Sequence, residues 1–284
     1  MKKNLLIVVI LAVCSIEMVK GQTVADSLAI VSACWKIENF QKGIVYKYAS
    51  IPQLYQGPQS ISLIEIDPVA GLKVGVAVSD KMKETSKIAS EYNAIAAING
   101  SYFDMKRGNS VCFLKVGNQV VDTTTLSEYK LRVTGAMHVH KGKIKLIPWS
   151  KQIEKEYEGE TGMVLASGPL MLKDGQICDW NSCGTNFIRT KHPRSAVATT
   201  KEGKILLITV DGRFPEQAEG VNIPELAHLI RILGGEDALN LDGGGSTTLW
   251  LSGASDDGVV NYPCDNGRFD HAGERKVPNI LYIH

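Results

Sequence analysis

One segment, residues 205–246, constrains the fold more than any other. Ile205–Val210 (ILLITV) is a continuous apolar run of strand length, ending at Asp211-Gly212-Arg213. Asn222 then reads as a helix N-cap, with Pro224 in the first turn. Leu226, Leu229, Ile230 and Leu233 repeat at helical spacing until Gly234-Gly235 stops the helix. Residues 238–241 (ALNL) form a second short apolar strand, closed by Asp242-Gly243-Gly244-Gly245-Ser246. The pattern predicts a strand–helix–strand crossover with a carboxylate just past each strand. If the strands are parallel neighbours, both carboxylates emerge at one sheet edge, where α/β crevices hold ligands.

The first half has a different rhythm. Residues 43–48, 61–67 and 72–78 read as strands, with Asp67-Pro68 and Gly71 turning the chain between the last two. A helix over 83–93 and a short buried strand over 94–98 follow. Further strands fit 111–116, 119–121, 133–139 and 143–147, with Gly117-Asn118 and Lys141-Gly142 as hairpin turns. Hairpins throughout with a single crossover predict an α+β fold: a large, mostly antiparallel sheet with helices, and the crossover carrying the site. The expected organisation is a signal peptide over 1–21, an N-terminal segment over 22–60 and a catalytic domain over 61–284.

Residues 1–21 read as a secretory signal. Lys2 and Lys3 precede an apolar run over 5–13, and Val19-Lys20-Gly21 offers a cleavage site. The run is shorter than the roughly 20 residues a bilayer span needs. The expectation is therefore export to a periplasmic or extracellular compartment with no stable membrane span. Lipoprotein anchoring through Cys14 is disfavoured by Val13, where a small residue is usual. Lys+Arg number 31 against 30 Asp+Glu; no basic excess exists to drive nucleic-acid binding. Past the signal, five cysteines remain: Cys34, Cys112, Cys178, Cys183 and Cys264. Cys178 and Cys183 are near enough to close a small disulfide loop, although buried free thiols account for all five equally well. No CxxC pair supports a zinc ribbon.

Asp-Gly after a strand is ordinary turn chemistry. Three consecutive glycines are not, because each adds conformational entropy that folding must overcome. The surplus at Gly243, Gly244 and Gly245 points to close backbone approach by a ligand, with amides available to an anion. The spacing matches neither a Walker A loop nor a dinucleotide fingerprint. Polar groups also follow or precede other predicted strands: Asn99-Gly100-Ser101-Tyr102-Phe103-Asp104, Ser167-Gly168-Pro169, His192-Pro193-Arg194-Ser195 and Gly273-Glu274-Arg275.

In order along the chain, NGSYFD (99–104), SGPLML-DG (167–175), HPRSAVA (192–198), TVDGR (209–213), ALNLDGGGST (238–247) and GERKVPN (273–279) resemble the phosphodiester glycosidase family. The similarity runs from about residue 60 to the C-terminus, and the short exported chain suggests a bacterial member. The resemblance implies a hydrolase that cleaves the glycosidic bond of a sugar-1-phosphodiester, N-acetylglucosamine-1-phosphodiester being the type substrate. It places Asp211, Asp242 and Glu274 as candidate nucleophile, acid or base. Arg194, Arg213 and Arg275 become candidate phosphate or substrate ligands, with Asn99, Gly243, Gly244, Gly245, Ser246 and Thr247 lining the pocket. The roles of the three acids are left open. No cofactor is expected. The acidic trio could hold Ca²⁺ or Mg²⁺, but no D-x-D-x-D loop is present. The competing readings are a non-catalytic glycan- or envelope-binding protein, for which Trp35, Trp149, Trp180 and Trp250 are the available tryptophans, and a phosphodiesterase that cleaves P–O.

Overall fold

The computed structural model describes residues 23–117, 119–157 and 161–284. The predicted signal peptide, Cys14 and Asn118 lie outside them. From the N-terminus come helix α1 (Val24–Val31), β1 (Lys36–Gln41), β2 (Ile44–Leu54), β3 (Gly57–Ile66), β4 (Val74–Glu84) and α2 (Thr85–Glu91). Next are β5 (Ala96–Asn99), β6 (Leu114–Val116), β7 (Gln119–Asp122), α3 (Leu126–Leu131), β8 (Gly135–His140), β9 (Lys143–Pro148) and α4 (Lys151–Glu156). Strands β10 (Met163–Ser167), β11 (Leu170–Lys173) and β12 (Gln176–Ile177) lead to α5 (Thr185–Arg189). The chain closes with β13 (Arg194–Thr200), β14 (Ile205–Val210), α6 (Ile223–Ile232), β15 (Gly235–Asn240), β16 (Leu249–Leu251) and β17 (Lys276–Ile283).

The fold is α+β, and its strands pair antiparallel. They form three sheets rather than the one expected: eight strands in the order β1-β2-β3-β14-β13-β15-β11-β12, five as β7-β6-β10-β8-β9, and four as β16-β5-β17-β4. The division is made at the turn after β3. Asp67 caps a short 3₁₀ turn over Pro68–Ala70 and Gly71 takes φ +77°, so β4 leaves for the four-stranded sheet instead of pairing with β3. Residues before 60 are part of the largest sheet, because β2 and β3 form one long hairpin.

The crossover forms as its sequence predicts. Asn222 accepts from the Glu225 amide at 2.9 Å and Glu225 returns the bond to the Asn222 amide, a capping box with Pro224 in the first turn. Strands β14 and β15 do run in the same direction, but they are not neighbours. β13 lies between them and pairs antiparallel with both. A tight turn already joins β13 to β14, so β15 returning from α6 finds the far edge of β13 free. The result still serves the site: the ends of β14 and β15 and the start of β13 meet at one sheet edge.

β14 is apolar throughout because both its faces are covered. Ile205 and Leu207 face a core shared by the three sheets. Leu206, Ile208 and Val210 face a second core, where α1 and α6 contribute Ile30, Leu226, Leu229 and Ile230. The Cys178–Cys183 disulfide does not form; Cys34, Cys112, Cys178, Cys183 and Cys264 are all free thiols.

Candidate active site

The two strand-end aspartates have unlike surroundings. Asp211 is fully buried. Its Oδ2 accepts from Ser60 Oγ at 2.6 Å, and its Oδ1 accepts from Asn261 Nδ2 at 2.9 Å and from the Tyr262 amide at 3.0 Å. Burial raises its pKa, against the pull of those three donors. Asp242 is half-buried. Its Oδ1 accepts only from the Gly243 amide at 3.0 Å, and Oδ2 takes no donor among the described residues. Burial raises its pKa as well; the Ser246 hydroxyl, which lies near without hydrogen-bond geometry, and the guanidiniums of Arg132 and Arg275 oppose the rise.

The glycines after Asp242 each have a separate reason. A Cβ on Gly243 would stand 2.5 Å from the Pro193 carbonyl oxygen. Gly244 takes φ +61°, and a Cβ there would stand 2.8 Å from Nη2 of Arg213. A Cβ on Gly245 would overlap Asp265 and the Arg275 guanidinium. Two arginines therefore lie flat against this loop, and the missing side chains are what admit them. The amides are less available than three glycines suggested. The Gly243 amide caps Asp242, the Gly244 amide donates to Pro193, and the Ser246 and Thr247 amides turn back on Gly243 and Gly244. Only the Gly245 amide has no acceptor among the described residues. The buried hydroxyls of Ser246 and Thr247 also have no hydrogen-bond partner there.

The arginines differ in how committed they are. Arg213 is exposed, sits at φ +68°, and among the described residues has one side-chain partner, the Cys264 sulfur at 3.6 Å from Nη1. Arg275 is paired with Asp265 through Nε at 3.1 Å and Nη2 at 2.5 Å. Arg194 is 2% exposed. Its Nε donates to Val221 O at 3.1 Å and its Nη2 to Phe187 O and Thr190 O at 3.0 and 2.9 Å, so it ties α5 to the start of α6. Burial brings the Arg194 pKa down to about 10, and Nη1 alone is left without a partner among the described residues.

Two other predicted site residues look elsewhere. Asn99 is fully buried; Nδ2 donates to Asp242 O at 2.7 Å, while Oδ1 accepts from Ser195 Oγ at 2.6 Å and the Thr248 amide at 3.1 Å. It binds β5 to the Asp242 turn and has little left for a ligand. Glu274 accepts from the amide and hydroxyl of Ser86 at 3.0 and 2.5 Å, at the start of α2. Burial raises its pKa. The neighbouring Arg275 faces the glycine loop and Glu274 faces α2, as adjacent residues of an extended chain do.

Arg132 stands at this edge although no sequence motif points to it. Its guanidinium lies 3.5 Å from the Tyr102 ring centroid and is held by Glu128 at 2.7 Å. Tyr102 in turn donates to Gly168 O at 2.6 Å and accepts from Asn240 at 2.7 Å. His192, at the same edge, has its pKa lowered by burial and by Arg194 and Arg213. No group of three or more His, Cys, Asp or Glu suited to a metal occurs among the described residues.

This edge thus presents one half-exposed carboxylate, a glycine loop and the guanidiniums of Arg213 and Arg275. Residues 92–284 match the phosphodiester glycosidase family model. The chain belongs to that family. Among curated proteins, mouse N-acetylglucosamine-1-phosphodiester alpha-N-acetylglucosaminidase is 34% identical over 102 residues, which is 35% of this chain and 18% of the mouse protein. The human protein of that name is 30% identical over 102 residues, with the same coverage. The matched segment therefore spans under a fifth of these relatives. Among solved structures, the zebrafish catalytic domain of that enzyme, described as auto-inhibited by its pro-peptide, aligns with TM-score 0.65 and 20% identity, covering 87% of this chain and 85% of that one. A putative exported protein from Burkholderia pseudomallei K96243 aligns with TM-score 0.59 and 14% identity, covering 82% and 75%. At these identities the structural matches show a shared fold. No helix among the described residues of this phosphodiester glycosidase family member is long and apolar enough to cross a membrane.

Proposed function

We propose that the protein is an exported hydrolase that cleaves the glycosidic bond of a sugar-1-phosphodiester, an N-acetylglucosamine-1-phosphodiester-like substrate. The observation that carries this reading is the loop after β15: Asp242 is half-buried with one donor on its carboxylate, and the missing side chain of Gly244 admits the Arg213 guanidinium, whose Nη2 would stand 2.8 Å from a Cβ there. An under-coordinated carboxylate and a guanidinium with no carboxylate partner among the described residues thus share one loop.

The phosphomonoester that departs from a sugar-1-phosphodiester is a good leaving group. Breaking the C–O bond demands little protonation but does demand a binder for phosphate charge and a base or nucleophile at the anomeric carbon. Arg213 supplies the first, since its planar fork can grip two phosphate oxygens. The Gly245 amide adds a donor beside it. Asp242 supplies the second, and burial, which raises its pKa above the ordinary carboxylate value, makes it a better proton acceptor than a solvated aspartate. Arg275, already held by Asp265, orients the loop and contributes positive potential. Asp211, Asn99, Arg194 and Glu274 act in this reading as positioning residues. They fix Tyr262, the Asp242 turn, α5 and α2 respectively.

The test is hydrolysis of a sugar-1-phosphodiester panel in ¹⁸O-labelled water, with residues 22–284 and the Asp242→Ala variant. The panel includes α-N-acetylglucosamine-1-phospho-6-mannose and UDP-N-acetylglucosamine. Free sugar carrying the label, released by the wild type alone, is the expected result. Label in phosphate would mean P–O cleavage by a phosphodiesterase. Binding of the panel without turnover would mean a glycan-binding protein.

A further inference from the structure

A second cleft lies at the opposite end of β14 from Asp211. It measures about 710 Å³ and opens between the β8–β9 hairpin tip, the turn after β3 and the first residue of β14. Leu72, Ile144, Leu146 and Ile205 give it an apolar lining. Around them stand Lys73, Lys141, Lys143, Lys145 and Lys173. Asp237 is the one carboxylate among the lining residues, and Lys173 binds it at 2.9 Å. Lys73, Lys141, Lys143 and Lys145 are exposed and make no ion pair among the described residues. Four uncompensated positive charges thus share one face of a chain whose net charge is only +1. On the same rim, the turn over Pro68–Ala70 carries Val69, a large apolar side chain left 86% exposed.

Lysines on an edge strand discourage strand addition, which accounts for Lys143 and Lys145 on β9. It does not account for Lys73 or Lys141, which lie off the strand, for the apolar lining, or for Val69. Basic side chains around an apolar groove, with an apolar residue standing proud, suit a surface that is anionic outside and hydrocarbon beneath. We propose that this face docks on an anionic phospholipid bilayer. The lysines meet the headgroups and Val69 enters the acyl boundary, which leaves the Asp242 edge turned away from the lipid.

The test is co-sedimentation of residues 22–284, which hold every described element, with vesicles of phosphatidylcholine alone or equimolar with phosphatidylglycerol. Binding is expected only with phosphatidylglycerol, and weakening as salt rises. A lysine near an anionic surface contributes about 1 kcal/mol, so Lys141→Glu, Lys143→Glu and Lys145→Glu together should weaken partitioning at least about 150-fold. Val69→Ser should weaken it several-fold without changing the salt dependence. A control with Lys106, Lys151 and Lys155 changed to Glu, none of which lines the cleft or neighbours the Pro68–Ala70 turn, should bind vesicles nearly as wild type does. Equal binding to both vesicle types would overturn the proposal, as would equal loss in the control. So would binding to dextran sulfate without binding to vesicles, which would mark a site for soluble polyanions.

Discussion

The turns after β14 and β15 each carry Asp-Gly at the same edge of the same sheet, yet the two aspartates are held differently. After β14, the aspartate faces inward. Ser60, Asn261 and the Tyr262 amide saturate it, and Gly212 packs against the backbone of Pro193, Glu219 and Gly220. After β15, the aspartate stays half-open; Gly243 packs against the Pro193 backbone as Gly212 does, but Gly244 and Gly245 are covered by the side chains of Arg213, Arg275 and Asp265. Local sequence sets the turn; what packs over it decides whether a carboxylate is saturated with donors or left open. The first turn also donates to the second, because Arg213 starts beside Asp211 and ends over Gly244.

The strongest way to break this contrast is to remove each acid. Asp242→Ala should lower turnover of a sugar-1-phosphodiester at least about a hundredfold, with an unfolding midpoint no lower than that of the wild type at neutral pH. Arg213→Ala should show a comparable loss, and Arg213→Lys should recover little of it, since an ammonium cannot grip phosphate with a planar fork. Asp211→Ala should act first on stability. It leaves three buried donors unpaired, at about 1–3 kcal/mol each, so thermal melting should fall by roughly 10 °C or more. Equal stability losses in the two alanine variants would erase the distinction.

The glycines sharpen it further. Gly244→Ala meets the movable end of Arg213 and a left-handed backbone, at a cost of about 1 kcal/mol. It should reduce turnover through the displaced guanidinium more than it lowers the melting temperature. Gly212→Ala meets only backbone, so melting should suffer most. The measurement is paired melting curves and rates for both variants.

The smallest effect expected is in pH dependence. Asp242 has a folded pKa above its ordinary value of 3.8. The folded state therefore holds that proton more tightly than the unfolded one. The resulting stability is present below about pH 4 and lost as pH rises through the raised folded value. Asp242→Asn removes this loss, so the variant should gain stability over the wild type on going from pH 4 to pH 7. A difference that stays constant with pH would contradict the raised pKa.

Much of this was legible in the sequence. The apolar run of β14, the Asn222–Glu225 cap and the Asp242 glycine loop all formed where their residue types demand. Sheet membership was less legible. The Asp67-Pro68 turn and Gly71 look like a hairpin connection locally, and only packing shows that β4 joins another sheet. The insertion of β13 between β14 and β15 was hidden for a similar reason, since strand neighbours follow from which edges are already taken. At the site, residue type located the loop but not which way side chains point. Glu274 and Arg275 are adjacent and face apart. Arg194 reads as a free cation but is enclosed by three carbonyls, and Arg132 enters only through its contact with the Tyr102 ring.

The central claim is that Asp242 does chemistry while Asp211 holds structure. The most direct measurement takes Asp242→Asn and Asp211→Asn at a temperature where the folded fraction of each is known, and compares turnover of α-N-acetylglucosamine-1-phospho-6-mannose per folded molecule. The account predicts near-complete loss for Asp242→Asn and a rate close to wild type for whatever folded Asp211→Asn remains. The reverse order, or equal loss per folded molecule, would contradict it.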